Sequence, residues 1–195
     1  MMVRPREFNA EDALEKAMQL FWAKGYEATS LSDLTAAMGL SKSSLYGTFG
    51  CKHELFLSAM DRYNETVAAR FAAGLIDGAK DSRSGIAAVF DCFLDDMLGE
   101  GEKRGCFANN AAVELAPHDA AVAARAAAGL AHVEESFYRA VRQGQEAGDI
   151  ATGRDARALA RYLTASLNGL IVLAKTNPER AALDEVVGIV LAALD

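Results

Sequence analysis

Proline is scarce in this chain of 195 residues, where it occurs only at Pro5, Pro117 and Pro178. Long runs of β-branched residues are absent as well, apart from short stretches near the C-terminus. Proline interrupts helices and β-branched residues favour strands, whereas alanine, which is very common here, loses the least conformational entropy on entering a helix. The composition therefore predicts an all-α protein, and a hydrophobic content of 51% provides a sizeable core.

Cysteine and histidine are equally few, with three residues of each type. The cysteines, Cys51, Cys92 and Cys106, are odd in number and scattered, which argues against a disulfide framework. No Cys/His spacing typical of a zinc site occurs, and no Glu-x-x-His pair or Ser/His/Asp group indicates catalysis. We therefore expect no metal, no cofactor and no enzymatic activity.

Long apolar segments are also lacking. No stretch approaches the roughly 20 apolar residues that span a bilayer, and the N-terminal residues do not include the apolar segment of a signal peptide. We therefore expect a cytoplasmic protein without a membrane partner.

Positive charge is in deficit, since the net charge is −7. A protein that coats nucleic acid needs many cations to contact phosphates. The charge is unevenly distributed, however. Residues 1–52 contain six basic and six acidic residues, so the remainder of the chain carries the whole negative charge. A neutral N-terminal part on an acidic body is compatible with local DNA contact through one end of the molecule.

Apolar residues recur at helical spacing along the whole chain, bounded by capping residues and glycines. The pattern predicts about nine helices, at residues 9–24, 31–38, 41–49, 52–73, 83–98, 106–115, 118–147, 154–175 and 179–194. The helix at 118–147 contains Gly129, a candidate site for an irregularity. Ser30, or Thr29, is placed to cap the second helix, with Asp33 at the capping-box offset from Ser30.

Two short helices separated by Gly39-Leu40-Ser41 are the most informative feature of the chain. In a helix-turn-helix the first helix braces the second across a tight turn, where glycine permits a positive φ. The second helix enters the major groove with its N-terminal residues at the bases and phosphates. Here it begins with short polar side chains and Lys42, while Leu45 and Phe49 are spaced to pack inward. Residues 31–49 therefore predict a helix-turn-helix that binds DNA.

This region resembles the TetR family of bacterial regulators, on residues 25–30, 34–46 and 49–56, and the match covers about the first third of the chain. The resemblance implies a homodimer with a DNA-binding head, residues 1–51, and a regulatory and dimerisation core, residues 52–195. It implies that Thr29 or Ser30 touches phosphate and that Lys52 binds phosphate with backbone amides. The full set of expected DNA contacts, including the N-terminal arginines, is Arg4, Arg6, Thr29, Ser30, Ser41, Lys42, Ser43, Ser44, Tyr46, Thr48 and Lys52.

The chain departs from the family pattern at three positions. Gly47 and Thr48 stand where the family often has His, Asn or Tyr, so Gly47 removes a side chain that would reach a base or phosphate. The operator therefore cannot be inferred from relatives. Cys51 replaces the usual small hydroxyl residue before Lys52.

The second half of the chain offers a candidate ligand site. On a helix, Cys106, Asn110 and Glu114 share one face, and a few polar groups among apolar walls are typical of small-molecule sites. The proposed walls are Phe90, Phe93, Met97, Phe107 and Phe137. An equally open alternative is that Asn110 hydrogen-bonds a nearby loop and Glu114 is a capping or solvated residue. Cys106 is either a redox or electrophile sensor or an inert buried thiol.

The last two helices carry small residues at helical spacing, among them Ala165, Gly169 and Gly188, together with many large apolar residues. Two such helices from each subunit predict a four-helix dimer interface, with ordinary intrachain packing as the alternative. The whole pattern indicates a ligand-responsive repressor that binds a palindromic operator as a dimer and is released by a small-molecule effector. Regulation through oxidation of Cys106 is the alternative mechanism.

Overall fold

The computed structural model describes residues 8–76, 80–99 and 104–195, so the expected contacts Arg4 and Arg6 lie outside the described residues. Within those ranges the chain forms nine helices and no strand, which confirms the all-α prediction. In chain order the helices are α1 (Ala10–Lys24), α2 (Leu31–Met38), α3 (Lys42–Phe49), α4 (Lys52–Ile76), α5 (Ser82–Leu98), α6 (Phe107–Glu114), α7 (Ala120–Ala147), α8 (Ala156–Thr176) and α9 (Arg180–Ala192). None of the helices in the described ranges is long and apolar enough to cross a membrane.

The first three helices begin where local capping signals predict. Asn9 accepts a hydrogen bond from a first-turn amide of α1. Ser30 and Asp33 form a reciprocal capping box at the start of α2. Ser41 accepts a hydrogen bond from the backbone N–H of Ser44 and so caps α3. Each cap satisfies donors that a helix leaves unpaired at its N-terminus.

Three later helices start one or two residues away from the predicted positions, because aspartates cap them. The side chains of Asp81, Asp119 and Asp155 accept hydrogen bonds from first-turn amides of α5, α7 and α8. The α7 helix is continuous through Gly129, where a Cβ added to the glycine would lie 2.6 Å from Oδ1 of Asn64. Gly129 therefore leaves room for the Asn64 side chain of α4 and does not interrupt the helix.

Two hydrophobic clusters form the interior of the described part of the chain. One joins α1, α2 and α3 to the first half of α4, to α6 and to the start of α7. The other lies among α5, α7, α8, α9 and the second half of α4. Phe107 of α6 packs edge-on against Phe56 and Tyr63 of α4, with ring centroids 5.4 and 5.6 Å apart. One continuous hydrophobic cluster therefore joins the helices expected to bind DNA to α4 and α6, across the predicted boundary between residues 51 and 52. The position of that boundary stays a prediction.

Candidate nucleic-acid interface

The turn between α2 and α3 has the geometry that the helix-turn-helix prediction requires. Gly39 ends α2 with φ 69° and ψ 30°, and its backbone N–H donates to the carbonyl of Thr35. The N–H of Leu40 donates to the same carbonyl. A left-handed residue closes the helix and redirects the chain at once, and glycine adopts that conformation without steric cost. Ser41 can therefore start α3 two residues after Gly39.

Helix α3 presents one apolar side to the protein and one polar side to solvent. Leu45 is fully buried and holds the helix on the head. Lys42, Ser43 and Thr48 are exposed, Ser44 is half-buried, and 46% of Tyr46 is accessible to solvent. Ser41 is exposed too, although its hydroxyl oxygen also serves as the cap of α3. The residues expected to contact DNA from this helix are therefore accessible to solvent, Ser44 only in part.

The two hydroxyl residues before α2 are in opposite environments. Thr29 is fully buried, and its hydroxyl donates to the backbone carbonyl of Gly25 at 2.6 Å. In the free protein the Thr29 side chain is therefore not accessible to a phosphate, and a contact by Thr29 stays a prediction. Ser30 is exposed and caps α2. Of the two alternatives, Ser30 is the one with access to DNA.

Lys52 lies at the N-terminus of α4 over the ring of Tyr26. Its Nζ is 4.2 Å from the ring centroid, a distance at which the ring attracts the ammonium group. Burial, with a smaller contribution from the charge of Glu27, raises the pKa of Tyr26, so the phenol stays neutral. Tyr26 thus limits the positions that the Lys52 side chain takes. Its role as a phosphate contact remains a prediction.

The departures from the family pattern also lie on this side of the molecule. Gly47 is exposed, and a Cβ added to it would meet no atom within 4 Å. Cys51 is an exposed free thiol, and its backbone N–H donates to Glu54 at 2.9 Å. A carboxylate near the start of α4 is favoured by the helix dipole.

The second candidate site, in the core, is a small cavity of about 30 Å³. It is lined by Tyr63, Asn64, Val67, Phe71, Phe93, Cys106, Ala108, Gly129, Leu130, Val133, Leu167, Asn168 and Ile171. Only Phe93 and Cys106 among the eight predicted ligand contacts are in this lining. Phe137 instead packs against Phe71 and Phe90 within the core, with centroids 5.2 and 5.9 Å apart. Phe107 packs on α4, and Met97 packs against the hydrophobic cluster that lies among α5, α7, α8, α9 and the second half of α4.

Asn110 and Glu114 make contacts that the cavity hypothesis did not anticipate. The Asn110 side chain donates to the backbone carbonyl of Arg104 at 2.8 Å, which agrees with the alternative of a loop contact. The Glu114 carboxylate accepts hydrogen bonds from the backbone N–H groups of Tyr26 and Glu27. Cys106 precedes α6 as its N-cap in an extended conformation, so it is not part of the helical face that Asn110 and Glu114 share. These three polar residues therefore do not converge on one cavity.

The amide side chains that line the cavity are Asn64 and Asn168, neither of which is predicted from the sequence as a ligand contact. Asn168 accepts a hydrogen bond from the side chain of Asn109 and donates to the carbonyl of Thr164. Asn64 donates to the carbonyl of Arg125. The sequence does carry a signal for Asn168, because this polar residue directly follows the buried Leu167 in the apolar helix α8. Their convergence depends on how α4, α6 and α8 pack, which the sequence does not specify.

Helices α8 and α9 leave an apolar surface exposed. Small residues face outward at Ala165, Gly169 and Gly188, and a Cβ added to either glycine meets no atom within 4 Å. The exposed large apolar residues on these two helices are Tyr162, Val172, Leu173, Val186 and Ile189, the last with 71% of its surface accessible. Exposed apolar patches of this kind are typical of protein interfaces.

Comparison with known proteins agrees with this architecture. The family described as tetR-family bacterial regulatory proteins matches residues 13–59, and the family of Tetracyclin repressor-like C-terminal domains matches residues 83–190. The chain is 32% identical to the HTH-type transcriptional repressor ComR of Escherichia coli (strain K12), over 96% of this chain and 90% of ComR. It is 31% identical over its full length to the uncharacterized HTH-type transcriptional regulator YezE of Bacillus subtilis (strain 168), which it covers completely.

A solved structure is similar over nearly the whole chain. It is a cysteine mutant of the TetR family transcriptional regulator CifR in complex with 26 base pairs of double-strand operator DNA. The identity is 33% and the TM-score 0.87, with coverage of 99% of this chain and 100% of CifR. The chain therefore belongs to the TetR family of DNA-binding transcriptional regulators, whose members are not enzymes.

Proposed function

We propose that the protein is a ligand-responsive repressor that binds a palindromic operator as a homodimer and is released by a small molecule. The observation that carries the proposal is the exposed polar side of α3, with Lys42, Ser43 and Tyr46 accessible and Leu45 buried beneath them. A helix held in this way inserts into the major groove with short donors at the bases and phosphates. The operator complex of CifR and the repressor description of ComR support the same function.

The homodimer forms through α8 and α9. Large apolar residues such as Leu163 and Val187 face the core of the subunit, while small residues such as Gly169 face outward. Small outward residues permit the close approach of a helix from a second copy. Two-fold symmetry then places two α3 helices at half-sites roughly 34–36 Å apart, one turn of DNA.

Dimerisation is tested by replacing Gly169 with glutamate and measuring the molar mass in solution by light scattering. The charged side chain is expected to convert the dimer to a monomer, because the carboxylate would be desolvated at the interface. Ala88→Glu, a matched change at an exposed position of α5, is expected to leave the dimer intact. An unchanged mass for Gly169→Glu would place the interface elsewhere.

The effector binds at the core cavity, which must enlarge to receive it. A volume of about 30 Å³ is small beside the roughly 300–1,000 Å³ of drug-sized ligand sites. Leu130 and Asn168 line both this cavity and an open groove of about 780 Å³ between α6, α7 and α8. Displacing these two side chains joins the two spaces. The α8 wall of the groove includes Ala165 and Gly169 of the proposed dimer surface, so the second subunit would cover this part of the site. The joined site suits a mostly apolar molecule with one or two hydrogen-bonding groups.

Release of DNA follows from the position of α6. Cys106 and Ala108, at its start, line the cavity, and Phe107 packs on α4, which carries the head. A ligand that moves α6 therefore changes the position of the head. It shifts the equilibrium only by its differential affinity for the two states, typically about 1–3 kcal/mol.

A second mechanism, regulation by oxidation or electrophiles, is favoured by the position of Cys106. Cys106 is half-buried, lines the cavity and lies beside Tyr63, whose pKa is raised by burial and by the neighbouring thiol. Cys106→Ser separates the two mechanisms. Oxidants that no longer release DNA from this variant would support thiol regulation, and release that continues would remove Cys106 from the mechanism.

DNA binding itself is tested by a mobility-shift assay on the DNA upstream of the gene that encodes the chain. The wild-type protein is expected to shift this fragment. Lys42→Ala is expected to weaken binding, whereas Lys16→Ala, an exposed lysine on α1, serves as the matched control. The absence of a shift for any upstream fragment at low salt would contradict the proposal.

A further inference from the structure

The turn between α6 and α7 has a carboxylate at each end: Glu114 contacts the head, residues 1–51, and Asp119 contacts the start of α4. At the first end, the two oxygens of Glu114 accept separate hydrogen bonds from the backbone N–H groups of Tyr26 and Glu27, at 3.1 and 2.9 Å. Tyr26 and Glu27 lie in the link between α1 and α2. Hydrogen bonds with an ionised acceptor are roughly twice as strong as neutral ones. Glu114 thus holds the segment that sets the position of the helix-turn-helix.

The fit of Glu114 against this link is close. Gly25 has φ 83°, and a Cβ added to it would lie 2.9 Å from Oε2 and 3.2 Å from Oε1 of Glu114. Glycine at this position therefore does two things: it supplies the left-handed turn after α1, and it leaves room for the carboxylate. The contact joins parts of the chain that are 88 residues apart in sequence.

At the other end of the turn, Asp119 uses its two oxygens differently. Oδ1 accepts the backbone N–H groups of Ala121 and Val122 and so caps α7. Oδ2 lies 2.5 Å from Nε2 of His53, the residue after Lys52 in α4. Asp119 therefore connects the start of α7 to the start of α4, beside the expected phosphate contact.

We infer that Glu114 and Asp119 are positioning residues: Glu114 fixes the DNA-binding head on the core, and Asp119 fixes the start of α4, with which the head shares a hydrophobic cluster. Both carboxylates are already engaged by hydrogen bonds within the chain. Fixing the head before it binds reduces the conformational freedom that is lost on binding, and preorganisation of this kind raises affinity. The inference rests on the proposed function, because it assigns these carboxylates a role in DNA affinity. The hydrogen-bonding part of it can be tested without DNA.

Hydrogen exchange measured by mass spectrometry tests the contact in the free protein. Glu114→Gln retains the shape of the side chain but loses the charge and one acceptor oxygen, so exchange at Tyr26 and Glu27 is expected to become about tenfold faster. Glu146→Gln, an exposed glutamate in α7, is the matched control and leaves exchange in the link unchanged. Unchanged exchange in Glu114→Gln would overturn the inference.

DNA affinity tests the positioning role, because this role and simple electrostatics predict opposite changes in affinity for Glu114→Gln. Removing a negative charge from a protein that binds a polyanion should strengthen binding or leave it unaltered. The positioning role predicts that Glu114→Gln weakens binding to the upstream fragment about three- to tenfold. The slope of log affinity against log salt should not change, and Glu146→Gln should not weaken binding.

Glu114→Asp separates geometry from charge, since it keeps the carboxylate but shortens its reach. It is also expected to weaken binding, and Asp119→Asn, which keeps a capping oxygen, is expected to weaken it less. Unaltered or tighter binding by both Glu114 variants would refute the positioning role. If the wild-type chain binds no upstream DNA, the proposed function fails together with the positioning role, while the exchange measurement still decides whether Glu114 holds the link.

Discussion

Gly39 and Gly47 lie in the same helix-turn-helix, and replacing each with alanine has opposite expected effects on stability. An added Cβ meets no atom within 4 Å at either position, so crowding contributes to neither change. The two glycines differ in backbone conformation: Gly39 has φ 69°, while Gly47 lies within α3 and its φ is not positive. The pair therefore isolates the cost of the left-handed turn.

The magnitudes follow from the backbone alone. Gly47→Ala is expected to raise the free energy of unfolding by about 0.5–1 kcal/mol, because alanine loses less conformational entropy in a helix. Gly39→Ala is expected to lower it by about 1–2 kcal/mol, the usual cost of a left-handed conformation for a residue with a Cβ. For a chain of this size, 1 kcal/mol corresponds to about 2–4 °C in Tm. The two variants should therefore differ in Tm by about 3–12 °C.

Thermal unfolding followed by circular dichroism measures this difference. The protein concentration must be the same for all variants, because the Tm of an oligomer depends on it. A Gly39→Ala variant as stable as the wild type would refute the turn geometry. A Gly47→Ala variant less stable than the wild type would refute the placement of Gly47 on an open helical surface.

Three further predictions concern Lys52, Thr29 and Asp119. Lys52→Ala is expected to weaken binding to the upstream DNA and to lower the slope of log affinity against log salt by about one, whereas Lys16→Ala changes neither. Thr29→Val removes a buried hydroxyl that donates to a backbone carbonyl, so it should lower the free energy of unfolding by about 1 kcal/mol without weakening DNA binding at equal folded fraction. The pKa of Asp119 is lowered, first by the backbone N–H of Val122. Its carboxylate therefore stabilises the fold at pH values above the unfolded pKa of about 3.9. This stability is lost as the pH falls through the lower folded pKa. Asp119→Asn should therefore flatten the acid end of a plot of the free energy of unfolding against pH.

Each of these predictions has a contrary result. An unchanged salt slope for Lys52→Ala would mean that its ammonium group serves only to pack on Tyr26. Weaker DNA binding by a fully folded Thr29→Val would mean that Thr29 becomes accessible in the complex. An acid profile for Asp119→Asn that matches the wild type would mean that this carboxylate is not held in the folded state.

The parts of the fold that depend on local signals could be predicted from the sequence. The capping box of Ser30 and Asp33, the left-handed Gly39 and the Ser41 cap each involve residues within a few positions of one another. These caps and this turn can therefore be predicted from a short window of sequence. The same holds for Leu45, whose inward direction follows from helical spacing.

The environments of single polar residues could not be predicted, because distant packing decides them. Thr29 and Ser30 are adjacent hydroxyl residues, yet one is buried and the other is exposed. Glu114 has the spacing of a cavity residue relative to Cys106, but it binds the link at Tyr26. Such contacts depend on the docking of α6 against α1 and α4, which no local pattern specifies.

The central claim is that α3 binds operator DNA with its exposed polar side. A mobility-shift titration of the upstream fragment, with excess unrelated DNA as competitor, tests it most directly when Lys42→Ala and Lys16→Ala are measured beside the wild type. The account predicts a shift that survives competition in the wild type and in Lys16→Ala and is weakened or lost in Lys42→Ala. A shift that unrelated DNA abolishes, or one that Lys42→Ala leaves unaltered, would contradict it.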